Sequence, residues 1–350
     1  MTQLAIALMV PAPFDAVSGG YGYDRRMVAG LREGGHAVRV VELAGRHPLA
    51  DAAAEAAAWQ ALAELRPGEI AVIDGLGLPA FARAAEAVAR AGAVGLIHHP
   101  TPLEKGLSEA DAALLREKEA QLLPQLARLI ATSRATATAL AGMGIDAARI
   151  GVVEPGTDAA PRAQGSQGTG CAILSIGAAV PRKGHDLLLR ALGRLTDLDW
   201  RLTIVGSLER DRAHAAALAA LARDLAIADR VTFAGEIGDD ALAALWAGTD
   251  LFALATWHEG YGMAVAEALK RGIPCALTAG GAVAELLPID AGVIVPPGDW
   301  TALSRAMRRP IFDTALRHRM SDAAFAAGQR LPDWEQQAQA FARELAAVAA

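Results

Sequence analysis

Cysteine is nearly absent: Cys171 and Cys275 are the only two in a chain of 350 residues. Both fall in apolar runs that read as strands, so the pair argues against a disulfide framework or a thiolate metal site. It reads as two core thiols in a reducing compartment. Aromatic residues are scarce, at 5%, so the core must be built from aliphatic side chains and alanine. No stretch of about twenty uncharged apolar residues occurs, which argues against a membrane-spanning helix. The apolar opening, Leu4 to Val10, lacks a basic leader and runs into Pro11. It reads as a first strand, not a signal sequence, and the expected compartment is cytoplasmic. Long basic runs are missing too, and the formal net charge is −6 with both signs interspersed. That balance argues against nucleic acid as a partner. No G-x-G-x-x-G follows the first strand, and no His or Cys cluster has metal-ligand spacing.

What is present is alternation. Strand-like runs at Leu4–Val10, Ala37–Leu43, Ile70–Asp74, Val94–His98, Arg128–Ser133 and Ile150–Val153 are separated by Ala-rich helical stretches near 21–33, 51–65, 79–91, 109–122 and 134–142. A second series runs Cys171–Ile176, Arg201–Val205, Arg230–Ala234, Asp250–Ala255, Pro274–Thr278 and Gly292–Val295. Its helices are expected to start near His185, His214, Asp240, Met263 and Ala282, with two more over 313–329 and 333–349. Strands alternating with helices predict parallel, doubly wound α/β sheets. Residues 159–169, rich in Gly, Ser and Gln without an apolar pattern, read as a linker between domains at 1–158 and 170–332.

The most informative segment is His258-Glu259-Gly260-Tyr261-Gly262-Met263-Ala264-Val265-Ala266-Glu267. An apolar strand leads in and a small-residue helix leads out. Glu259 therefore sits in the strand-to-helix loop, and Glu267 about a turn and a half into the helix. Gly260 and Gly262 let the backbone turn tightly beside a ligand, and helix-start amides can face an anion. Two carboxylates so placed suit two hydroxyl-bearing parts of one ligand.

This segment resembles the E-x7-E signature of retaining GT-B glycosyltransferases, in particular glycosyltransferase family 4. Gly280-Gly281-Ala282-Val283-Ala284-Glu285 resembles the family's Gly-Gly-x-x-E turn, and Gly292 to Asp299 the strand and turn that follow. The resemblance covers nearly the whole chain and is most specific over 171–299. It implies two Rossmann-like domains facing a cleft, an acceptor-side first domain and a nucleotide-sugar-binding second one. It also implies that the C-terminal helix, 333–350, packs back on the first domain. Catalysis is expected to need neither metal nor cofactor.

Further residues carry over by position. Lys183 matches the lysine of the family's Lys-Gly element. The arginine common five positions earlier is here Ala178, and Arg182 could supply that charge from next door. A departing diphosphate needs such cations. Gly19 and Gly20 follow the first strand, where the family's loop faces the donor phosphates. His98 and His99 end the fourth strand. The family has a histidine from this region near the transferred sugar, and strand alternation sends only one of the two to the site, with His98 favoured. Gly206 and Glu236 lie at the ends of second-domain strands that border the nucleotide pocket.

The expected activity is transfer of a hexosyl group, with retention, from a nucleotide-diphosphate sugar to a hydroxyl acceptor. A UDP-sugar is favoured as donor. Two rivals are a noncatalytic nucleotide-sugar sensor and a GT-B nucleotide-sugar epimerase. Residues 105–120, with adjoining Glu104, mix acidic and basic side chains, so no basic membrane-seeking face is expected and the acceptor is read as soluble. Peripheral membrane association stays open.

Overall fold

The computed structural model describes residues 3–103 and 106–349; Glu104 and Lys105 lie outside the described residues. The chain divides into two compact units, Met1–Gly156 with Pro332–Ala350, and Thr157–Leu331.

The first unit runs β1 (Ala5–Pro11), α1 (Gly19–Glu33), β2 (Ala37–Leu43), α2 (Ala52–Ala63), β3 (Glu69–Asp74), α3 (Ala85–Arg90), β4 (Val94–Ile97), α4 (Glu109–Leu122), β5 (Arg128–Ala131), α5 (Arg134–Gly142) and β6 (Ile150–Val152). Its strands pair in parallel in the order β2-β1-β3-β4-β5-β6. Near-continuous apolar strands suit a sheet covered on both faces. On one side Met9, Ile73 and Leu129 pack with Ala54, Ala58 and Ala61 of α2. On the other, Ile6, Leu8 and Ile130 pack with Tyr23, Met27 and Leu31 of α1.

The second unit runs β7 (Cys171–Ile176), α6 (His185–Leu192), β8 (Trp200–Val205), α7 (Arg212–Asp224), β9 (Val231–Gly235), α8 (Asp239–Ala247), β10 (Leu251–Leu254), α9 (Met263–Lys270), β11 (Cys275–Thr278), α10 (Val283–Leu286), β12 (Gly292–Val295), α11 (Trp300–Phe312) and α12 (Thr314–Gly328). The parallel order is β12-β11-β10-β7-β8-β9. Both thiols are free and buried in this unit. The last helix, α13 (Trp334–Ala349), belongs to the first unit, where Phe341, Ala342 and Leu345 join the core beside Ile6. A Cβ built on Gly30 of α1 would meet the Ala338 Cβ at 2.6 Å, so glycine there allows the two helices their close approach.

The fold departs from the sequence reading in several places. Helix α11 is absent from that reading, because Pro310 and its arginines mask the pattern. Asp299 caps its start through Ala302 N–H. Buried Arg317 donates to the Pro310 and Ile311 carbonyls, which the end of the helix leaves without intrahelical partners. The helix expected at 79–91 is a 3-10 segment over Leu78–Ala84 followed by short α3. Strand β4 stops at Ile97, so both histidines lie beyond it. The stretch 159–169 is not free chain. Ala163 and Gln164 N–H groups donate to the Arg271 and Ala247 carbonyls, tying it to the second unit.

Candidate functional site

In the second unit β7 lies between β8 and β10, so the chain reverses its winding direction at β7. Such switch points open a crevice at the carboxyl ends of the strands. The loops leaving β7 and β10 meet there, and they carry the predicted cations and the predicted glutamate.

Glu259 Oε1 lies 2.6 Å from Lys183 Nζ, 3.4 Å from Arg182 Nη1 and 3.3 Å from the Thr256 hydroxyl. Its side chain is 12% exposed, low enough for strong electrostatics yet open to a ligand. Burial pushes the Glu259 carboxyl up, but Lys183 and Arg182 outweigh it and hold the group below its ordinary range. The carboxylate is therefore charged at neutral pH, and fixed against a cation.

The backbone of Glu259 is clamped. Its N–H donates to Gly280 O at 3.0 Å, and Ala282 N–H donates to Glu259 O at 3.0 Å. The Gly-Gly-x-x-E turn is thus a mould for the Glu259 loop, a role the motif alone did not disclose. Gly281 has φ +73°, and a Cβ there would sit 2.2 Å from Glu259 O. Gly281→Ala is expected to cost about 2 kcal/mol of stability from the left-handed backbone alone. Displacing Glu259 should lower activity further than a melting curve of the folded variant would suggest. Unchanged melting and rate together would refute the clamp.

Lys183 is positioned by absence. A Cβ on Gly177 would lie 2.9 Å from the lysine's Cδ, so the stem passes over that glycine. Gly206 packs just as closely on Gly177, where a Cβ would meet its carbonyl at 2.4 Å. Arg182 Nη1 donates to His258 O at 2.8 Å, and Trp257 N–H donates to Arg182 O at 2.9 Å. Arg182 thus ties one loop to the other as well as adding charge. Gly262, at φ +102°, caps α9 before Met263, and Tyr261 beside it is buried. Gly260 lies in the bend between Glu259 and Tyr261, and Glu267 is half-buried on α9. Arg271 donates to the Glu267 carbonyl at 3.1 Å. Glu236 is exposed just past β9.

In the first unit Ser18 caps α1, Gly19 borders open space, and a Cβ on Gly20 would touch the His98 ring at 3.5 Å. His98 Nε2 lies 3.0 Å from Asp24 Oδ1 and 3.4 Å from Asp74 Oδ2. Near His99, the buried Glu119 carboxylate accepts from the Thr101 N–H and hydroxyl. Arg25 donates to the Phe14 and Ala16 carbonyls, and Arg26 stacks over Trp334. The sequence reading missed Asp24 entirely and took Asp74 only as a strand end. Asp24, Asp74 and His98 offer three potential metal-ligand atoms within 4.8 Å of one another. No spacing rule finds such a trio, because His98 and Asp24 are 74 residues apart.

Comparison with known proteins points to glycosyl transferases. Residues 12–156 match the family model described as Glycosyl transferase 4-like domain, and residues 157–326 match Glycosyl transferases group 1. The chain is 33% identical over 206 residues to a D-inositol 3-phosphate glycosyltransferase of Mycobacteroides abscessus, covering 54% of this chain and 46% of that protein. For the protein of the same name from Rhodococcus opacus the identity is 31% over 255 residues, covering 66% and 55%. The chain thus spans about half the length of these curated relatives. Among solved structures, sucrose-phosphate synthase from Thermosynechococcus elongatus superposes with TM-score 0.79 at 18% identity, covering 97% of this chain and 98% of that one. Anabaena HepE in complex with UDP and glucose gives 0.75 at 18%, covering 98% and 100%. At such identities the likeness speaks for the fold.

Proposed function

We propose that this chain, which belongs to the GT-B glycosyltransferases by both of its units, moves a hexosyl group with retention from a nucleotide-diphosphate sugar to a hydroxyl acceptor. The observation that carries the reading is the Lys183–Glu259–Arg182 cluster at the switch point of the second sheet. A charged carboxylate beside two cations can accept hydrogen bonds from sugar hydroxyls while the cations meet a departing diphosphate. Lys183 is the principal counter-charge, and Arg182 assists it while holding the loop. The amides at Gly262 and Met263 add partial positive charge. Glu267 binds the ribose, and Gly260, Tyr261, Gly206 and Glu236 border the nucleotide. The first unit serves the acceptor. Its Gly19–Gly20 turn is assigned to the donor phosphates, His98 to sugar hydroxyls, and His99 to substrate binding beside it.

A UDP-sugar is the favoured donor, supported by the UDP and glucose in the HepE complex. The acceptor is a hydroxyl compound. The reaction is metal-independent in this reading, because Lys183, Arg182 and the helix start supply the charge that a metal would otherwise bring. The second reading, a nucleotide-sugar sensor without turnover, draws on Ala178 in place of the family's arginine. Transfer assays separate the two. Purified chain is incubated with UDP-, GDP-, ADP- and TDP-sugars and a panel of hydroxyl acceptors, with and without excess EDTA. Donor-dependent product with the donor's anomeric configuration, unaffected by EDTA, is expected. Loss with EDTA and recovery on adding magnesium would overturn the metal-free mechanism. Donor binding without product on any acceptor would favour the sensor.

Donor binding centres on Glu267 in this reading. Glu267→Ala is expected to weaken nucleotide-sugar binding by about 1–3 kcal/mol through lost hydrogen bonds to a charged acceptor. Calorimetry showing unchanged affinity in a folded variant would remove Glu267 from the site.

A further inference from the structure

Helix α4 carries an acid where its packing pattern asks for an apolar side chain. Leu115, Glu119 and Leu122 share its buried face, and Glu119 is 3% exposed. A carboxylate in such a stripe is costly unless it is bonded, so its partner accounts for its presence. Glu119 Oε1 accepts from the Thr101 N–H at 2.8 Å and from the Thr101 hydroxyl at 2.6 Å. We infer that Glu119 is a positioning residue: through Thr101 it fixes the His98-His99-Pro100 bend, and with it the two histidines assigned to substrate. The inference rests on the glycosyl-transfer reading for what the histidines meet, and on the hydrogen bonds alone for the clamp.

The bend is anchored at both ends. Strand β4 stops at Ile97, so the residues that follow have left the sheet ladder. At the near end, the Thr132 and Thr136 hydroxyls of the β5–α5 turn donate to the His98 carbonyl at 3.3 and 3.1 Å. The His98 ring lies against Asp24 and Asp74. At the far end stands Thr101, also 3% exposed, which opens a 3-10 turn over Thr101–Leu103. Between the anchors lie His99 and Pro100, and the proline has no N–H with which to tie the bend down. The Leu103 N–H donates to the Pro100 carbonyl at 3.1 Å, a bond that closes the turn on itself. Glu119 ties that turn to the body of the unit.

The contact is a product of packing. Glu119 and Thr101 are 18 residues apart, and α4 brings them together by burying Leu115 and Leu122 on the same face. The 2.6 Å bond lies in the range of a hydroxyl donating to a charged acceptor. Both bonds converge on Oε1, while Oε2 is buried without a hydrogen-bond partner. A glutamine would keep the accepting oxygen and set its amide nitrogen where Oε2 lies. The clamp in Glu119→Gln is therefore weakened but present, and in Glu119→Ala it is gone.

The test reads the loop directly. Amide hydrogen exchange is followed at residue resolution in the whole chain, with Glu119→Ala, Glu119→Gln and Thr101→Val beside wild type. The Thr101 amide should be protected in wild type, exchange about 100-fold faster in Glu119→Ala, and stay within about tenfold of wild type in Glu119→Gln. In transfer assays, kcat/KM for the acceptor should fall about tenfold in Glu119→Ala while donor affinity stays within about twofold, and Glu119→Gln should restore most of the loss. A merely structural defect would lower donor and acceptor affinity together. Thr101→Val keeps the N–H and loses the hydroxyl, so a loss of about threefold is expected, and this variant carries the test where Glu119→Ala does not fold. An unprotected Thr101 amide in wild type overturns the inference, and so does a folded, fully active Glu119→Ala. Glu119→Gln as impaired as Glu119→Ala, with Thr101 still protected, overturns it as well, because the charge itself would then meet substrate. The exchange measurement needs no transfer, so failure of the glycosyl-transfer reading and failure of this one are distinguishable.

Discussion

Glu259→Gln is expected to lower turnover about 10²–10³-fold while donor affinity changes far less. The carboxylate is the partner of Lys183 at 2.6 Å, so the amide removes an acceptor and releases the lysine at once. Charge develops on the sugar and the departing phosphate only as the bond breaks, so the loss belongs to turnover. The folded state should pay as well. Breaking a buried pair by removing one partner costs about 3–5 kcal/mol at most. Lys183 and Arg182 keep 17% and 20% exposure, so water should cap the loss near the lower end of that range. Turnover at saturating donor, donor affinity by calorimetry and a melting curve separate the contributions. Equal falls in turnover and affinity would reduce Glu259 to a binding residue. An unaffected rate would remove the central assignment.

Lys183→Ala is the second large effect, expected at about 10²-fold in turnover even with donor saturating. Stability should suffer less than in Glu259→Gln, because Arg182 at 3.4 Å and the Thr256 hydroxyl remain to satisfy the carboxylate. Arg182→Ala should also be impaired, by about tenfold, since Ala178 leaves few cations to share the diphosphate charge. Its defect should include loop disorder, because Arg182 holds the His258 carbonyl at 2.8 Å. Rescue by Arg182→Lys should therefore be poor, as an ammonium cannot reproduce the planar fork. A fully active Arg182→Ala would show that this arginine does not compensate for Ala178.

The local signals were legible in the chain. Continuous apolar runs marked the strands of both sheets, and a helical pattern marked α13. The segment 258–267 announced a strand-to-helix turn bearing two glutamates. Helix α11 was not legible, because Pro310 breaks the pattern and the donor that caps its end, Arg317, sits in the next helix. The two histidines were treated as strand residues pointing to opposite faces. Strand β4 ends at Ile97, so neither is held in strand register, and the His98 ring meets Asp24 and Asp74.

By itself the sequence determined which residue types stood at the carboxyl ends of the strands, because turns, caps and periodicity are written within a few neighbours. Glu259, Lys183 and Gly281 could be named as motif members on that basis. Their mutual arrangement was decided by strand order. Placing β7 next to β10 brings Lys183 and Glu259 to 2.6 Å across 76 residues of chain, and the pairing of β10 with β11 lets the Gly280–Gly281 turn clamp the Glu259 backbone. The His98 trio depends likewise on β3 pairing with β4 while α1 packs over them. No local pattern contains such meetings. They arise when buried apolar faces choose their neighbours, and the polar ends of the strands are carried along.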